Sequence, residues 1–120
     1  MKQKFCELAK KLSYKSDYED RQHGAVVAKR GKLLGIGFNK RRSHPASNAR
    51  FNNMHAEFSA ILNCNNEDLS NCDIYIYREN KEGSLAMSKP CEFCSKMIKQ
   101  IGIKNIYYTT PIGWVEEVYA

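Results

Sequence analysis

Several features that define large classes of protein are missing from this 120-residue chain. No apolar run approaches the length of a membrane-spanning helix, and the first residues interleave charged and apolar side chains, unlike a secretory signal. There is no internal repeat, low-complexity segment or linker. The length suffices for one core and is too short for two. We therefore expect a single domain over residues 1–120, located in the cytoplasm and with no membrane partner.

The cysteines also argue against a disulfide framework. The chain has five cysteines, an odd number, and no secretion signal accompanies them. Cys6, Cys64 and Cys72 lie among helix-like or strand-like residues, where a free cysteine usually acts as a small buried hydrophobic residue. The other two, Cys91 and Cys94, form a C-x-x-C motif that requires a separate explanation.

Acidic residues are absent from one long stretch. The net charge is +6, and no Asp or Glu occurs from Arg21 through Ala56, although that stretch holds eight positive charges. Such a run favours an anionic partner near its end. The alternative is a solvated basic face that aids solubility, and the sequence leaves both open.

The hydrophobic pattern indicates an α/β fold. Residues 2–12 have apolar side chains at helical spacing, and residues 23–29 and 32–38 are typical of a hairpin with its turn at Arg30 and Gly31. A polar loop follows at 39–53. The remaining elements are predicted as a helix at 54–64, a strand at 72–79, a helix from Pro90 to residue 101, a strand at 104–110, and a final antiparallel strand or short helix at 114–119. This order predicts a sheet with helices on its faces, and it places the helix starts near 55 and 91 at the same edge.

Three side chains at these two helix starts have the chemistry of a zinc site. Cys91 and Cys94 are three residues apart, so both sulfurs lie on one side of the first helical turn, where the helix N-terminus favours thiolate. His55 would supply a third ligand where the two helix starts meet. Two thiolates and one imidazole leave a fourth position open for water, which is the pattern of catalytic zinc.

Glu57 stands two residues after His55. Residues two apart on a regular helix diverge by about 200°, so Glu57 would not bind the metal with His55. A carboxylate beside the metal can take a proton from water and give it to a departing nitrogen. The N–H groups of Ala56 and Glu57, in the first helical turn, can bond an acceptor on the substrate. This set suits the addition of water to a C=N bond with loss of ammonia.

The motif H-A-E at 55–57, followed by P-C-x-x-C at 90–94, resembles the signature of the zinc-dependent cytidine and deoxycytidylate deaminase superfamily. GAVVAKRGKLLGIGFN resembles the family's paired first strands, and GIKNIYYTT resembles the strand after its zinc helix. The resemblance covers about residues 20–110. It implies a three-layer α/β/α sandwich with a mixed sheet of about five strands, a Zn²⁺ ion on His55, Cys91 and Cys94, and Glu57 as the catalytic proton shuttle.

The resemblance also implies substrate contacts. Asn39 aligns with the residue that commonly contacts the sugar, although a Gly-x-Asn sequence also ends hairpins by turn chemistry. The backbone amide of Ala56 would bind the carbonyl oxygen of the base. Ser88 would line the base pocket.

The basic loop suggests how a phosphate is bound. Arg41 and Arg42 could clamp the phosphate of a free nucleotide, which a nucleoside or base would not require. His44 could contact the phosphate, stack on a base, or be an exposed loop residue.

The substrate class stays open between alternatives. We favour a cytosine nucleotide or nucleoside, and we expect a homo-oligomer because members of this family often assemble. A deaminase acting on single-stranded DNA, RNA or tRNA is the second hypothesis, although the aromatic residues that could stack on bases concentrate in predicted strands. A third is a non-catalytic zinc module that binds nucleic acid and has no need of Glu57.

Overall fold

The computed structural model describes residues 1–16, 22–39, 55–65 and 68–119. None of the helices in those ranges is long and apolar enough to cross a membrane. The order of elements agrees with the prediction from the sequence. In chain order they are α1 (Gln3–Ser13), β1 (Gln22–Lys29), β2 (Lys32–Phe38), α2 (Ala56–Leu62), β3 (Asp73–Glu79), α3 (Glu92–Gln100), β4 (Asn105–Thr110) and β5 (Gly113–Val118).

The described strands form a mixed five-stranded sheet in the order β2-β1-β3-β4-β5. β3 and β4 are parallel, and the other neighbours are antiparallel. The last segment, which the sequence left open between strand and helix, is an antiparallel strand beside β4. Since β2 and β3 both run antiparallel to β1, they point the same way and end at the same edge of the sheet.

The β1–β2 hairpin has the tight turn that the sequence predicts. Lys29 pairs with Lys32, and the two residues between them, Arg30 and Gly31, have φ of 52° and 81°. Two positive φ values are typical of a type I′ turn, whose twist matches that of the flanking strands.

Each side of the sheet is covered by helix, which confirms the predicted three-layer α/β/α architecture. We call the side under α1 the aromatic face, because Tyr75, Tyr77, Tyr107 and Trp114 pack there with α1. We call the side under α2 and α3 the site face. Its core consists mainly of small and aliphatic residues from both helices and from the sheet: Ala25, Val27, Ala56, Ala60, Ile74, Ile76, Ile98 and Ile106.

Glycine lets a helix lie directly on the sheet on both faces. A Cβ atom at Gly37 would overlap the backbone of Ala56 and Ala60 in α2, and one at Gly24 would overlap the backbone of Ala9 in α1. Because backbone cannot rotate away as a side chain can, these two positions fix how closely the helices approach. Gly37 thereby holds the first turn of α2 against the end of β2.

The two later helices are shorter than predicted. α2 has seven residues and begins after His55, whose extended backbone (φ −72°, ψ 146°) makes it the residue that precedes the helix. It ends at Asn63, which donates its side-chain amide to the Ile36 carbonyl at 2.7 Å. α3 begins at Glu92 and not at Pro90, because Cys91 is also extended and caps the helix.

Candidate active site

The starts of α2 and α3 meet above one edge of the sheet. α2 follows β2 and α3 follows β3, and these two strands end at that same edge. His55 and Cys91 occupy equivalent positions, each the last extended residue before its helix. The topology therefore brings together two segments 36 residues apart in sequence, as the element order predicts.

The spacing of the three candidate ligands fits a zinc ion. Nδ1 of His55 lies 3.4 Å from the sulfur of Cys94 and 3.7 Å from that of Cys91. Zn–S bonds of about 2.3 Å and Zn–N bonds of about 2.0–2.1 Å, meeting at a tetrahedral angle, place sulfur and nitrogen about 3.6 Å apart. The three ligand atoms lie within 4.8 Å of one another. These residues could hold a tetrahedral metal ion without rearrangement.

The two thiols differ in acidity. The sulfur of Cys91 accepts hydrogen bonds from the thiol and the backbone N–H of Cys94 and lies beside His55, so the pKa of Cys91 falls to about 4. The same hydrogen bond to Cys91, together with burial, raises the pKa of Cys94. One thiol thus stabilises the ionised form of the other through the hydrogen bond that they share. The expectation that the helix N-terminus favours thiolate at both cysteines stays a prediction. A divalent ion would favour ionisation of both.

Glu57 is a buried carboxyl beside this cluster. Only 5% of its surface is exposed, and burial raises its pKa, while the Cys94 thiol lies within hydrogen-bonding reach. The predicted divergence of about 200° between Glu57 and His55 does not apply, because His55 precedes the helix. The extended backbone at His55 is what allows both side chains to approach the two sulfurs.

Two phenylalanines that the sequence analysis passed over connect the helix starts. Phe58 in α2 and Phe93 in α3 make an edge-to-face contact with ring centroids 6.5 Å apart. Such a pair contributes about 0.5–1.5 kcal/mol beyond the area it buries. The sequence could have indicated these two residues, because each phenylalanine lies within one of the two motifs, HAEF and CEFC.

The predicted sugar contact, Asn39, lies just beyond β2. Its side-chain oxygen accepts a hydrogen bond from the backbone N–H of His23 at 2.9 Å, and the backbone N–H of Asn39 donates to the His23 carbonyl at 3.3 Å. These bonds extend the β1–β2 pairing by one step. The side-chain oxygen therefore has a structural role at the open end of the hairpin, opposite the turn at Arg30 and Gly31, and the sugar contact stays a prediction.

Ser88 links β3 to β4. Its hydroxyl donates to the Ile76 carbonyl at 2.8 Å and accepts the Thr109 N–H at 2.7 Å, and the side chain is buried. The bond from Ser88 N–H to the Thr109 carbonyl, at 2.9 Å, completes the link. This geometry gives Ser88 a structural role next to the ligand turn. Its predicted place in a base pocket stays a prediction, as do those of Arg41, Arg42 and His44, which lie outside the described residues.

Residues 1–110 match the family described as the cytidine and deoxycytidylate deaminase zinc-binding region. The chain belongs to this family. β5 and the residues after it lie beyond the matched region.

The similarity of this chain to individual deaminases extends over different shares of their lengths. The chain is 29% identical to a deoxycytidylate deaminase of Mycobacterium phage D29, over 87% of this chain and 90% of the relative. It is 27% identical to the human deoxycytidylate deaminase, but it spans only 49% of that protein's length.

A solved structure supports the fold assignment. The dCMP deaminase of cyanophage S-TIM5 in its apo form is 28% identical, with a TM-score of 0.68, over 90% of this chain and 84% of that one. The same phage enzyme in complex with dCMP and dUMP gives a TM-score of 0.65 at 25% identity, over 90% and 82%.

Proposed function

We propose that this chain is a zinc-dependent deaminase that converts a cytosine nucleotide, dCMP, to the uracil form with release of ammonia. The observation that carries the proposal is the spacing of His55 from the two cysteine sulfurs, with the buried carboxyl of Glu57 beside them. The named activity of the D29 phage and human relatives, and the dCMP and dUMP in the S-TIM5 complex, support the choice of substrate.

His55, Cys91 and Cys94 would hold the zinc ion, which when bound supplies the Lewis acidity that makes water nucleophilic near neutral pH. Glu57 would accept a proton from this water as oxygen adds to C4 of the cytosine ring. It would then deliver that proton to the amino nitrogen, so that the C4–N bond breaks and ammonia leaves. The second proton of the water ends on ring N3, and C4 keeps the oxygen as a carbonyl.

The environment of Glu57 suits this role. Burial raises its pKa above that of an exposed carboxyl, which makes it a better proton acceptor and moves its titration toward the operating pH. A zinc module that only binds nucleic acid would gain nothing from a desolvated carboxyl next to a ligand sulfur. This observation favours an enzyme over the non-catalytic hypothesis.

Other residues would orient the substrate. The backbone N–H of Ala56 would donate to the carbonyl oxygen of the base. A sugar contact by Asn39 would use its amide nitrogen, since its oxygen bonds His23. Arg41, Arg42 and His44 would contact the phosphate.

The aromatic residues favour a free nucleotide over a polynucleotide. Tyr75, Tyr77, Tyr107 and Tyr108 are buried in the core, so these rings do not form the platform on which single-stranded nucleic acid stacks. Action on DNA, RNA or tRNA is therefore the weaker hypothesis.

We also propose that the chain is one domain that acts in the cytoplasm as a homo-oligomer. The homo-oligomer is proposed because members of this family often assemble.

The test is ammonia release by the zinc-loaded protein from cytidine, CMP, dCMP, single-stranded DNA and tRNA. We expect dCMP to have the highest kcat/KM. Release from DNA or tRNA with none from dCMP would contradict the substrate assignment. Absence of release from every substrate would contradict the enzyme assignment.

The phosphate contact has its own test. Arg41→Glu with Arg42→Glu should raise KM for dCMP about tenfold or more and leave KM for cytidine or deoxycytidine unchanged, because only the nucleotide carries the charge. Lys32→Glu, an exposed residue at the opposite end of β2, is the matched control. Equal losses for nucleotide and nucleoside would contradict the clamp.

A further inference from the structure

The last strand contacts the chain on the N-terminal side of the CEFC turn, residues 91–94, which carries both cysteine ligands. The carboxylate of Glu117 lies 3.2 Å from Nζ of Lys89, two residues before Cys91. The same oxygen accepts the hydroxyl of Tyr108 in β4 at 2.5 Å. Since Tyr108 belongs to the core of the site face, Glu117 connects Lys89 to a fixed part of the sheet.

The residue after β5 contacts the C-terminal side of the same turn. The hydroxyl of Tyr119 lies 3.1 Å from that of Ser95, the residue after Cys94. Ser95 in turn donates its backbone N–H to the Cys91 carbonyl at 2.8 Å. The ammonium of Lys99 lies 4.8 Å from the centre of the Tyr119 ring, so one aromatic side chain contacts α3 at two points one turn apart.

The backbone around Tyr119 is itself held in place. Its N–H donates to the Lys104 carbonyl at 2.7 Å, which continues the β4–β5 pairing past the end of β5. Val115 and Tyr119, on the same side of the strand by alternation, both pack on the site-face core. Tyr119 therefore meets Ser95 from a backbone anchored to the sheet.

We propose that Glu117 and Tyr119 are positioning residues for the two cysteine ligands, and that they restrain the CEFC turn from both sides. The inference rests on the proposed function, because it assumes that Cys91 and Cys94 bind zinc. Both residues lie beyond residues 1–110, the region that matches the family.

The effect should appear in the metal site more than in global stability. Lys89–Glu117 is a partly exposed ion pair, and such pairs contribute little to the stability of the fold. Groups that orient metal ligands, however, change metal affinity by about 10- to 100-fold. Because Glu117 and Tyr119 act on the residues that flank the ligands, we expect the lower end of that range.

The chain offers a matched control on the same strand. Glu116 pairs with Tyr107 across β4–β5 and contributes to the raised pKa of that tyrosine. Tyr107, however, packs on the aromatic face, away from the cysteines. Glu116→Gln thus removes the adjacent carboxylate of the same strand, opposite a β4 tyrosine, and leaves the contacts to Lys89 and Ser95 unchanged.

The experiment compares Glu117→Gln, Tyr119→Phe, their combination and Glu116→Gln. The readouts are the rate of zinc transfer to a chelator and the visible absorption spectrum of the Co²⁺-substituted protein, which reports ligand geometry. For the double variant we expect zinc loss about tenfold faster than for wild type, an altered Co²⁺ spectrum, and a lower kcat with little change in KM. Glu116→Gln should match wild type in all of these.

Zinc loss and Co²⁺ spectra in the double variant that equal those of Glu116→Gln would overturn the inference. Tyr119→Phe keeps the ring and its Lys99 contact, so it reports on the hydroxyl even where the double variant is poorly folded. A wild-type protein that binds metal but deaminates nothing would contradict the proposed function and leave the positioning result intact. A wild-type protein that binds no metal would contradict both.

Discussion

On the aromatic face, α1 packs against tyrosine and tryptophan rings, whereas on the site face α2 and α3 pack against alanine, valine and isoleucine. Among the described residues, the candidate metal ligands lie at the starts of the site-face helices. Glycine lets a helix approach the sheet closely on both faces, at Gly24 under α1 and at Gly37 under α2, but of these two helices only α2 begins beside a candidate ligand. Close packing of small residues therefore positions the candidate ligands on the site face, whereas packing on the aromatic face contributes to the core.

The largest effect should follow from removing a ligand on the site face. Cys94→Ser should bind zinc at least about 100-fold more weakly and lose deaminase activity, because a neutral hydroxyl replaces a thiolate ligand. Cys64→Ser is the control, since Cys64 is also a buried site-face cysteine and a serine can keep its 3.3 Å bond to the Ala60 carbonyl. The measurements are the zinc content and the dCMP turnover of both variants. Equal zinc content in the two would refute the assignment of Cys94 as a ligand.

The glycines separate packing from site geometry. Gly37→Ala and Gly24→Ala each force a Cβ into helix backbone, so each should lower the free energy of unfolding by about 1–3 kcal/mol. Only Gly37→Ala, which displaces the first turn of α2, should also weaken zinc binding.

Urea unfolding and chelator competition, carried out on the same two variants, measure these effects. Similar zinc binding by Gly37→Ala and Gly24→Ala would break the proposed division between the faces.

A smaller effect on the site should come from Ser88→Ala. The variant leaves the Thr109 N–H without its hydroxyl acceptor in a buried position, which costs about 1–3 kcal/mol. If the role of Ser88 is structural, kcat/KM for dCMP should fall by less than about fivefold in the folded protein. A larger loss of kcat/KM at unchanged stability would instead indicate direct contact with the base.

The smallest effect concerns alkaline pH and the aromatic face. Burial, with a hydrogen bond to Glu79, raises the pKa of Tyr77, and the hydrogen bond to Glu79 raises that of Tyr14 to about 12. In both cases the folded state favours the neutral phenol. The associated stability is fully present below the unfolded pKa of about 10 and is lost as pH rises toward 12.

Tyr77→Phe should therefore reduce the loss of stability between pH 9 and 11.5, as measured by urea midpoints. The pKa of Tyr108, on the site face, is likewise raised to about 12. Tyr108→Phe is therefore the corresponding variant on the other face. A Tyr77→Phe midpoint that falls with pH as steeply as that of wild type would contradict this account.

Sequence periodicity predicted most of the fold. Alternation and turn chemistry predicted the hairpin, and the element order predicted that the two helix starts share an edge. The end of the chain was ambiguous because WVEEVY suits either a strand or a helix by local pattern, and its pairing with β4 is a tertiary contact. The helix starts shifted by one or two residues because His55 and Cys91 adopt extended backbone, which local propensity does not specify.

The sequence predicted which residue types form the candidate site, but it did not predict the contacts that hold them in place. Two cysteines, a histidine and a glutamate have chemistry that spacing alone indicates. The unequal acidity of Cys91 and Cys94 depends on which sulfur accepts the hydrogen bond from the other, and spacing does not specify that. The bonds of Ser88, Glu117 and Tyr119 depend on which strands lie side by side, and no local pattern encodes them.

One measurement tests the central claim most directly: zinc content and dCMP turnover determined on the same preparations of wild type and Glu57→Gln. The account predicts about one zinc per chain in both, with deamination by the variant lower by about 10²- to 10⁴-fold. A Glu57→Gln protein that holds zinc and deaminates dCMP at the wild-type rate would contradict it.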